Sequence, residues 1–402
     1  MAVLFENDCG WFVDQKLWFD QNCTQDYTVK NDYFEIWEQF LMDSQYVCSS
    51  RSLSKSEEEN GTDLKASVDR KKKKKRKRRI EFQSETYHSK VKEEIRCRSG
   101  SLLDWARQNY FKPNKKAGNN RQARDAALNS VGSKVDMIEV CKSVDDKSYG
   151  THPISIQESD LTVFPCSRLY FNQSDKPAIM RYLDDEFLIP GASKFLLSDI
   201  QDCKKLIKSV SPANLIVIDP PWENKSIKRI KKYKTLTDWD MYKLPVKSLS
   251  SPSGCLIAVW ATNKLKQIKF VKEGLFPFWN VKHIADWHWM KVTRSGDLVC
   301  DFNSDQKKPY ENIIIGLYES MCETESKLTI PDVEKLQHKI IVSVPSSIHS
   351  QKPTLSEIFK PFLKADAVCL ELFARYLTPG WISWGNEVLK HQHVDYFEKI
   401  VD

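Results

Sequence analysis

The residues with the most chemical content form one short run, residues 215–222 (LIVIDPPW), in which four aliphatic residues lead straight into Asp219, Pro220, Pro221 and Trp222. A strand in an open α/β sheet delivers whatever follows its carboxyl end into the crevice where ligands lie. A carboxylate there accepts hydrogen bonds, and the Pro220 carbonyl adds a second acceptor beside it. The prolines hold φ at about −65° and remove amide donors that would compete for those acceptors. Two such acceptors suit an exocyclic amine whose lone pair is delocalised into its ring, such as the N6 amine of adenine. Gripping both N–H groups stabilises the charge that develops on nitrogen as it attacks a methyl donor. Trp222 offers a flat face on which a base could stack, worth about 1–3 kcal/mol. Asp-Pro-Pro is also a common turn composition; the apolar strand before it favours a site.

The next residues extend the same chemistry. After Glu223 come Lys225, Lys228, Arg229, Lys231, Lys232 and Lys234 with no further acidic residue until Asp238, and Tyr233 lies among them. Beside an active site such cations hold the phosphates of a substrate strand, and Tyr233 lines the base pocket; away from one they form a solvated loop. The thirteen glycines are dispersed, so neither G-x-G-x-x-G nor G-x-x-x-x-G-K-[ST] occurs. This disfavours dehydrogenases, kinases and NTPases, and any methyl donor must be held without a glycine-rich loop.

These residues need a scaffold. Short β-rich runs alternate with helical patterns from about residue 187, which predicts an α/β domain with a mostly parallel sheet over 187–402. The expected strands are 195–200, 215–218, 255–260, 281–290, 313–318, 340–344 and 368–373. Crossover helices are expected at 263–274, stopping at Gly274, and at 354–363. Ahead of this domain, residues 1–48 are rich in aromatics (Trp11, Phe12, Trp18, Phe19) but too few to fold alone, so they dock onto something else. Residues 49–85 read as a disordered linker, and 86–186 as a partly helical accessory region with Val91, Ile95, Leu102, Leu103, Trp105 and Tyr110 at helical spacing.

Charge and composition set the cellular context. The chain carries +7, yet residues 70–79 (RKKKKKRKRR) are all basic, and without them the other 392 residues carry −3. Ten like charges repel and stay hydrated, which predicts an exposed element that phosphates or a nuclear import receptor can grip, with Arg70, Lys71, Lys75, Arg76 and Arg79 in that role. The expected location is the nucleus, with room for a cytoplasmic fraction. No apolar stretch of eighteen residues exists, and the N-terminus has no secretory pattern, so no membrane association is expected. The eleven cysteines form no Cys-x-x-Cys pair, and His391 and His393 read as structural or surface residues, so no metal is expected.

The segments FLLSDI, VIDPPWENKSIKR, VWATN, ADWHWMK, KKPYENIIIG, HKIIVSVPSSIHSQKP, LELFARYLTPGW and SWGNEVLKHQHVDYF, in this order over roughly 187–400, resemble the adenine-N6 methyltransferases with an Asp-Pro-Pro-Trp motif. The resemblance implies a Rossmann-like domain that transfers a methyl group from S-adenosyl-L-methionine to adenine N6. It implies that Asp199 and Ile200 bracket the cofactor's adenine and that Lys352 neutralises its carboxylate. Arg375, Asn386 and Glu387 become ribose and tail contacts, joining Asp219 in cofactor binding, and Glu311 helps to hold the target base. One departure is Thr378, where relatives carry an Asn three residues after the arginine, with a shorter loop to Trp381. The branch is associated with 2′-O-methyladenosine in small nuclear RNA of the U2 type, which makes RNA the expected partner, and with adenine in DNA. In either case the base must leave its stack. A catalytically inactive RNA-binding or scaffold relative is the remaining reading; the intact motif and Lys352 weigh against it.

Overall fold

The computed structural model describes residues 1–23, 26–40, 64–113, 120–129, 154–156, 168–182, 185–199, 207–208, 210–222, 236–304, 307–319 and 333–400. Its strands are β1 (Val3–Asn7), β2 (Gly10–Val13), β3 (Tyr27–Val29), β4 (Ile154–Ser155), β5 (Leu169–Phe171), β6 (Ala178–Tyr182), β7 (Asp185–Ile189) and β8 (Lys194–Leu197), followed by β9 (Leu215–Ile218), β10 (Cys255–Ala261), β11 (Val281–Lys291), β12 (Tyr310–Tyr318), β13 (Ile340–Ser343), β14 (Cys369–Leu372), β15 (Ile382–Gly385) and β16 (Phe397–Lys399). Twelve of them form one sheet in the order β1-β2-β13-β11-β12-β10-β9-β14-β15-β8-β5-β4, while β3–β16 and β6–β7 form separate pairs.

Every residue of β9, β10, β14 and β15 is buried. This follows from strands covered on both faces, which are mostly apolar instead of alternating, with Glu371 in β14 and Ser383 in β15 as polar exceptions. The neighbours β10–β9, β9–β14, β14–β15 and β15–β8 are all parallel. Between β10 and β11, β12 runs antiparallel to both, and β13 and then β2 continue parallel to β11. The chain leaves β9 towards β10 and returns on the other side as β14. That reversal opens a crevice beyond the carboxyl ends of β9 and β14, the place where an α/β sheet binds ligands. The mostly parallel α/β fold is the one the sequence predicts, with all seven expected strands present.

Several elements differ from expectation. The N-terminal aromatics dock on the sheet itself: β2 pairs with β13, and helix α1 (Gln15–Gln21) sets Trp18 and Phe19 edge-on to Tyr376. The amides of Ala2 and Val3 donate to the Glu357 carboxylate at 3.0 and 2.9 Å. Gly10 is required at the β2–β13 junction, because its φ is +148° and a Cβ there would lie 1.8 Å from the Ile340 carbonyl oxygen. Helix α2 (Leu64–Asn109) begins inside the stretch read as linker and runs through the basic run; Val91, Ile95, Leu102 and Ala106 line its buried stripe against Met290, Ile340 and Val342. The boundary placed at 187 falls within β7, and β4 and β5, from the accessory region, extend the main sheet.

Gly274 does not stop its helix, which continues from Leu265–Lys269 through a π-turn at Phe270–Leu275 to Phe276–Phe278. Its role is close approach, since a Cβ there would meet the Tyr242 hydroxyl at 2.8 Å. The helix ends instead at Asn280, whose φ of 60° turns the chain into β11.

Candidate active site

Asp219 caps β9 and its amide donates to the Leu372 carbonyl of β14 at 3.2 Å, which seats it over the crevice. Leu215 and Val217 face one core cluster while Ile216 and Ile218 face the other, so alternation carries Asp219 to the first face. There the residue is 7 % exposed and its carboxylate accepts a hydrogen bond from Arg375 at 2.6 Å, with the Lys352 ammonium 3.7 Å away. Arg375, just past β14, also donates to Glu387 at 3.3 Å, and Lys390 bonds the other Glu387 oxygen at 2.8 Å. Lys352, in the connection between β13 and β14, bonds Glu311 at 2.7 Å, and Lys291 at the end of β11 takes the second Glu311 oxygen. The result is one continuous chain of alternating charges: Lys291, Glu311, Lys352, Asp219, Arg375, Glu387, Lys390.

Burial opposes the charges of Glu311, Lys352, Arg375 and Glu387, and each survives because its neighbours outweigh the desolvation. Burial alone would raise the Glu311 carboxyl, but Lys291 and Lys352 hold it well below the usual range. Burial alone would lower Lys352 and Arg375, yet Asp219 with Glu311 raises the first, and Asp219 with Glu387 raises the second. Lys390 and Arg375 likewise overcome burial to lower Glu387. Glu371, within β14, behaves differently. Burial first and the Asp219 charge second push its carboxyl up to about 8, against Arg375.

Asp219, Lys352, Arg375, Glu387 and Glu311, all singled out in the sequence, are thus brought together in one cluster. Asn386 is exposed directly after β15, and Asp199 is half-buried two residues after the end of β8, both at carboxyl ends of neighbouring parallel strands. Gln351, beside Lys352, is 5 % exposed and its Oε1 is an acceptor without a partner. Ile200, Lys225, Lys228, Arg229 and Tyr233 lie outside the described residues, as do the side chains of Arg70, Lys71, Lys75 and Arg76, while Arg79 is exposed on α2.

Two details of the motif differ from the sequence reading. Trp222 is not an open stacking platform: it is 7 % exposed, packs edge-on to Phe270, and its indole N–H donates to the Trp260 carbonyl at 2.7 Å. A buried indole must find such an acceptor, and the β10 end supplies it. The Pro220 carbonyl already accepts the Trp222 amide at 2.7 Å, which leaves one lone pair for another donor. Sequence reasoning missed Lys291 and Glu371. The available signal was position: Lys291 ends a strand as the residue before Asp219 does. His391 is buried beside Tyr376, and His393 bonds Asp185 at 3.1 Å, in keeping with the structural reading of both.

Residues 213–387 match the MT-A70 family model. The chain is 35% identical over 392 residues to the human N(6)-adenine-specific methyltransferase METTL4, covering 93% of this chain and 81% of that protein. It is also 35% identical over 216 residues to the N6-methyladenosine RNA methyltransferase MTA1 of Pyricularia oryzae, covering 51% of this chain and 55% of that one. The DNA N6-methyl methyltransferase of Caenorhabditis elegans is 33% identical over 226 residues, or 55% and 59% of the two chains. With an acidic residue and its cationic partners at the sheet's switch point, and with homology running over nearly its whole length, the chain belongs to the MT-A70 family.

Proposed function

We propose that this chain methylates N6 of an adenosine already methylated on its 2′ oxygen, in small nuclear RNA of the U2 type. The coarser statement rests on homology: the chain is an adenine-N6 methyltransferase acting on nucleic acid. The observation that carries the mechanism is the Asp219 carboxylate held between Arg375 and Lys352 at the carboxyl end of β9. A carboxylate has about four acceptor sites, so with one oxygen on Arg375 it keeps capacity for an amine N–H, and the free lone pair of Pro220 takes the other. The amine is then oriented, and the charge that develops on it is held by groups that need no rearrangement. Trp222 acts as a wall that fixes this turn, while Glu311 faces the base from β12.

The residues present fit S-adenosyl-L-methionine, a sulfonium that supplies an electrophilic methyl when bound. Lys352 suits its carboxylate, and the unpartnered Gln351 Oε1 suits its ammonium. Arg375, Asn386 and Glu387 suit the ribose and tail, and Asp199 with Ile200 the adenine. Lys225, Lys228, Arg229 and Tyr233 hold the strand around the target, and the basic run of α2 serves nuclear import. RNA is preferred over DNA because a single strand gives up a base at the lowest cost.

The test is product analysis by nucleoside mass spectrometry on matched strands: RNA with and without a 2′-O-methyl at the target adenosine, and DNA. Preference for 2′-O-methylated RNA by tenfold or more in kcat/KM is expected; equal turnover on DNA would remove the RNA assignment. Asp219→Asn, which preserves size and removes the charge, abolishes turnover with an unchanged circular-dichroism spectrum. Retained turnover would refute the role of Asp219.

A further inference from the structure

Two consecutive residues of α2 reach the two residues that flank Glu311 in β12. The Tyr87 hydroxyl donates to Asn312 Oδ1 at 3.1 Å, and His88 Nδ1 lies 2.7 Å from the Tyr310 hydroxyl. Side chains alternate along a strand, so Tyr310 and Asn312 face α2 while Glu311 faces the other way, to Lys291 and Lys352. Both flanking residues are 1 % exposed and tied to the end of β10 as well. Asn263 donates to the Tyr310 carbonyl at 2.6 Å, and Asn312 donates to Asn263 Oδ1 at 3.0 Å. Across the sheet His288 lies 3.1 Å from Asn312. The backbone of Glu311 is therefore clamped on both sides by a helix that does not otherwise belong to the site.

The helix does not need these bonds to stay in place. Val91, Ile95, Leu102 and Ala106 already bury its apolar stripe, and burial of that kind is the main source of helix docking. His88 is not an ionic group either, since burial lowers its ring to about 4. With the ring neutral and its proton on Nε2, Nδ1 is the acceptor for the Tyr310 hydroxyl, a contact that depends on direction and so transmits position.

We propose that Tyr87 and His88 are positioning residues for the methylation reaction: through Asn312 and Tyr310 they fix where Glu311 stands relative to Asp219, coupling the N-terminal helix to turnover. This rests on the reading of Glu311 as a contact to the target base. No direct contact of Tyr87 or His88 with either substrate is needed.

The test uses the full chain with a single-stranded RNA oligonucleotide carrying one target 2′-O-methyladenosine. It compares His88→Ala, Tyr310→Phe, the double variant, and His88→Asn, whose Oδ1 can replace the Nδ1 acceptor. One neutral hydrogen bond contributes enough to predict a drop of about three- to tenfold in kcat/KM for each single variant. The double variant matches either single one because the same bond is lost; His88→Asn recovers most of the rate, and the cofactor Kd from calorimetry does not move. Loss factors that multiply in the double variant, or a lowered melting temperature with kcat/KM unchanged, would overturn the coupling. Glu311→Gln is run alongside. If it turns over as fast as the parent, the reading of Glu311 itself fails; if it is inactive while His88→Ala and Tyr310→Phe are not impaired, only the coupling fails.

Discussion

Glu371→Gln isolates an unusual group. Glu371 sits between Leu370 and Leu372 in β14, opposite Val217 of β9, and is 7 % exposed. Burial and the nearby Asp219 push its carboxyl up to about 8, against about 4.3 for an exposed glutamate. The folded chain therefore holds a proton there that the unfolded chain releases. Because the folded value is raised on an acid, this group costs stability as pH rises between the two values, with a slope of at most about 1.4 kcal/mol per pH unit. Between pH 6 and pH 8 the loss amounts to about 2 kcal/mol, with the slope fading as the folded form itself ionises. Glutamine keeps the shape and hydrogen-bonding groups of the neutral acid and cannot titrate. The assay is urea unfolding of both proteins at pH 6 and pH 8. The histidines titrate equally in both, so the comparison cancels them. The parent should lose about 2 kcal/mol more than Glu371→Gln over that interval. An identical loss in the two proteins would refute the reasoning and mean that the carboxyl is already ionised in the fold.

Lys352→Ala removes one cation from the central cluster while leaving Glu311 with Lys291 and Asp219 with Arg375. It should weaken S-adenosyl-L-methionine binding by about 1.5–3 kcal/mol, the scale of a charged hydrogen bond, and an unchanged Kd by calorimetry would dispose of the carboxylate role. Gly10→Ala forces a Cβ against the Ile340 carbonyl. It should lower unfolding free energy by about 1–3 kcal/mol, the scale of overpacking; an unmoved thermal midpoint would argue against the β2–β13 pairing.

The expected strands emerged from the sequence because a parallel strand covered on both faces has no solvated side to encode, so it appears as an unbroken apolar run bounded by turns. That is why Leu215–Ile218 and Cys255–Ala261 could be placed closely. The same logic failed for Ile382–Gly385, four residues with a serine and a glycine, whose strand state depends on β14 and β8 lying beside it. It failed also for Gly10–Val13, which pairs with the open edge of β13, and for Val3–Asn7, which pairs with Gly10–Val13 in turn.

Part of the candidate site was legible for a related reason: a carboxylate after a buried strand, with prolines that rigidify the turn, is a local pattern. The sequence by itself determined the acceptor groups offered at Asp219 and Pro220 and the parallel sheet that carries them, because both are encoded in neighbours along the chain. Only the tertiary structure decided that Arg375 and Lys352 converge on Asp219, that Lys291 joins Glu311, and that Trp222 turns its indole inward to Trp260. Those contacts join residues tens to well over a hundred positions apart. What selects them is the cost of leaving a buried charge or indole N–H unpaired, a cost that exists only once the sheet has closed around them.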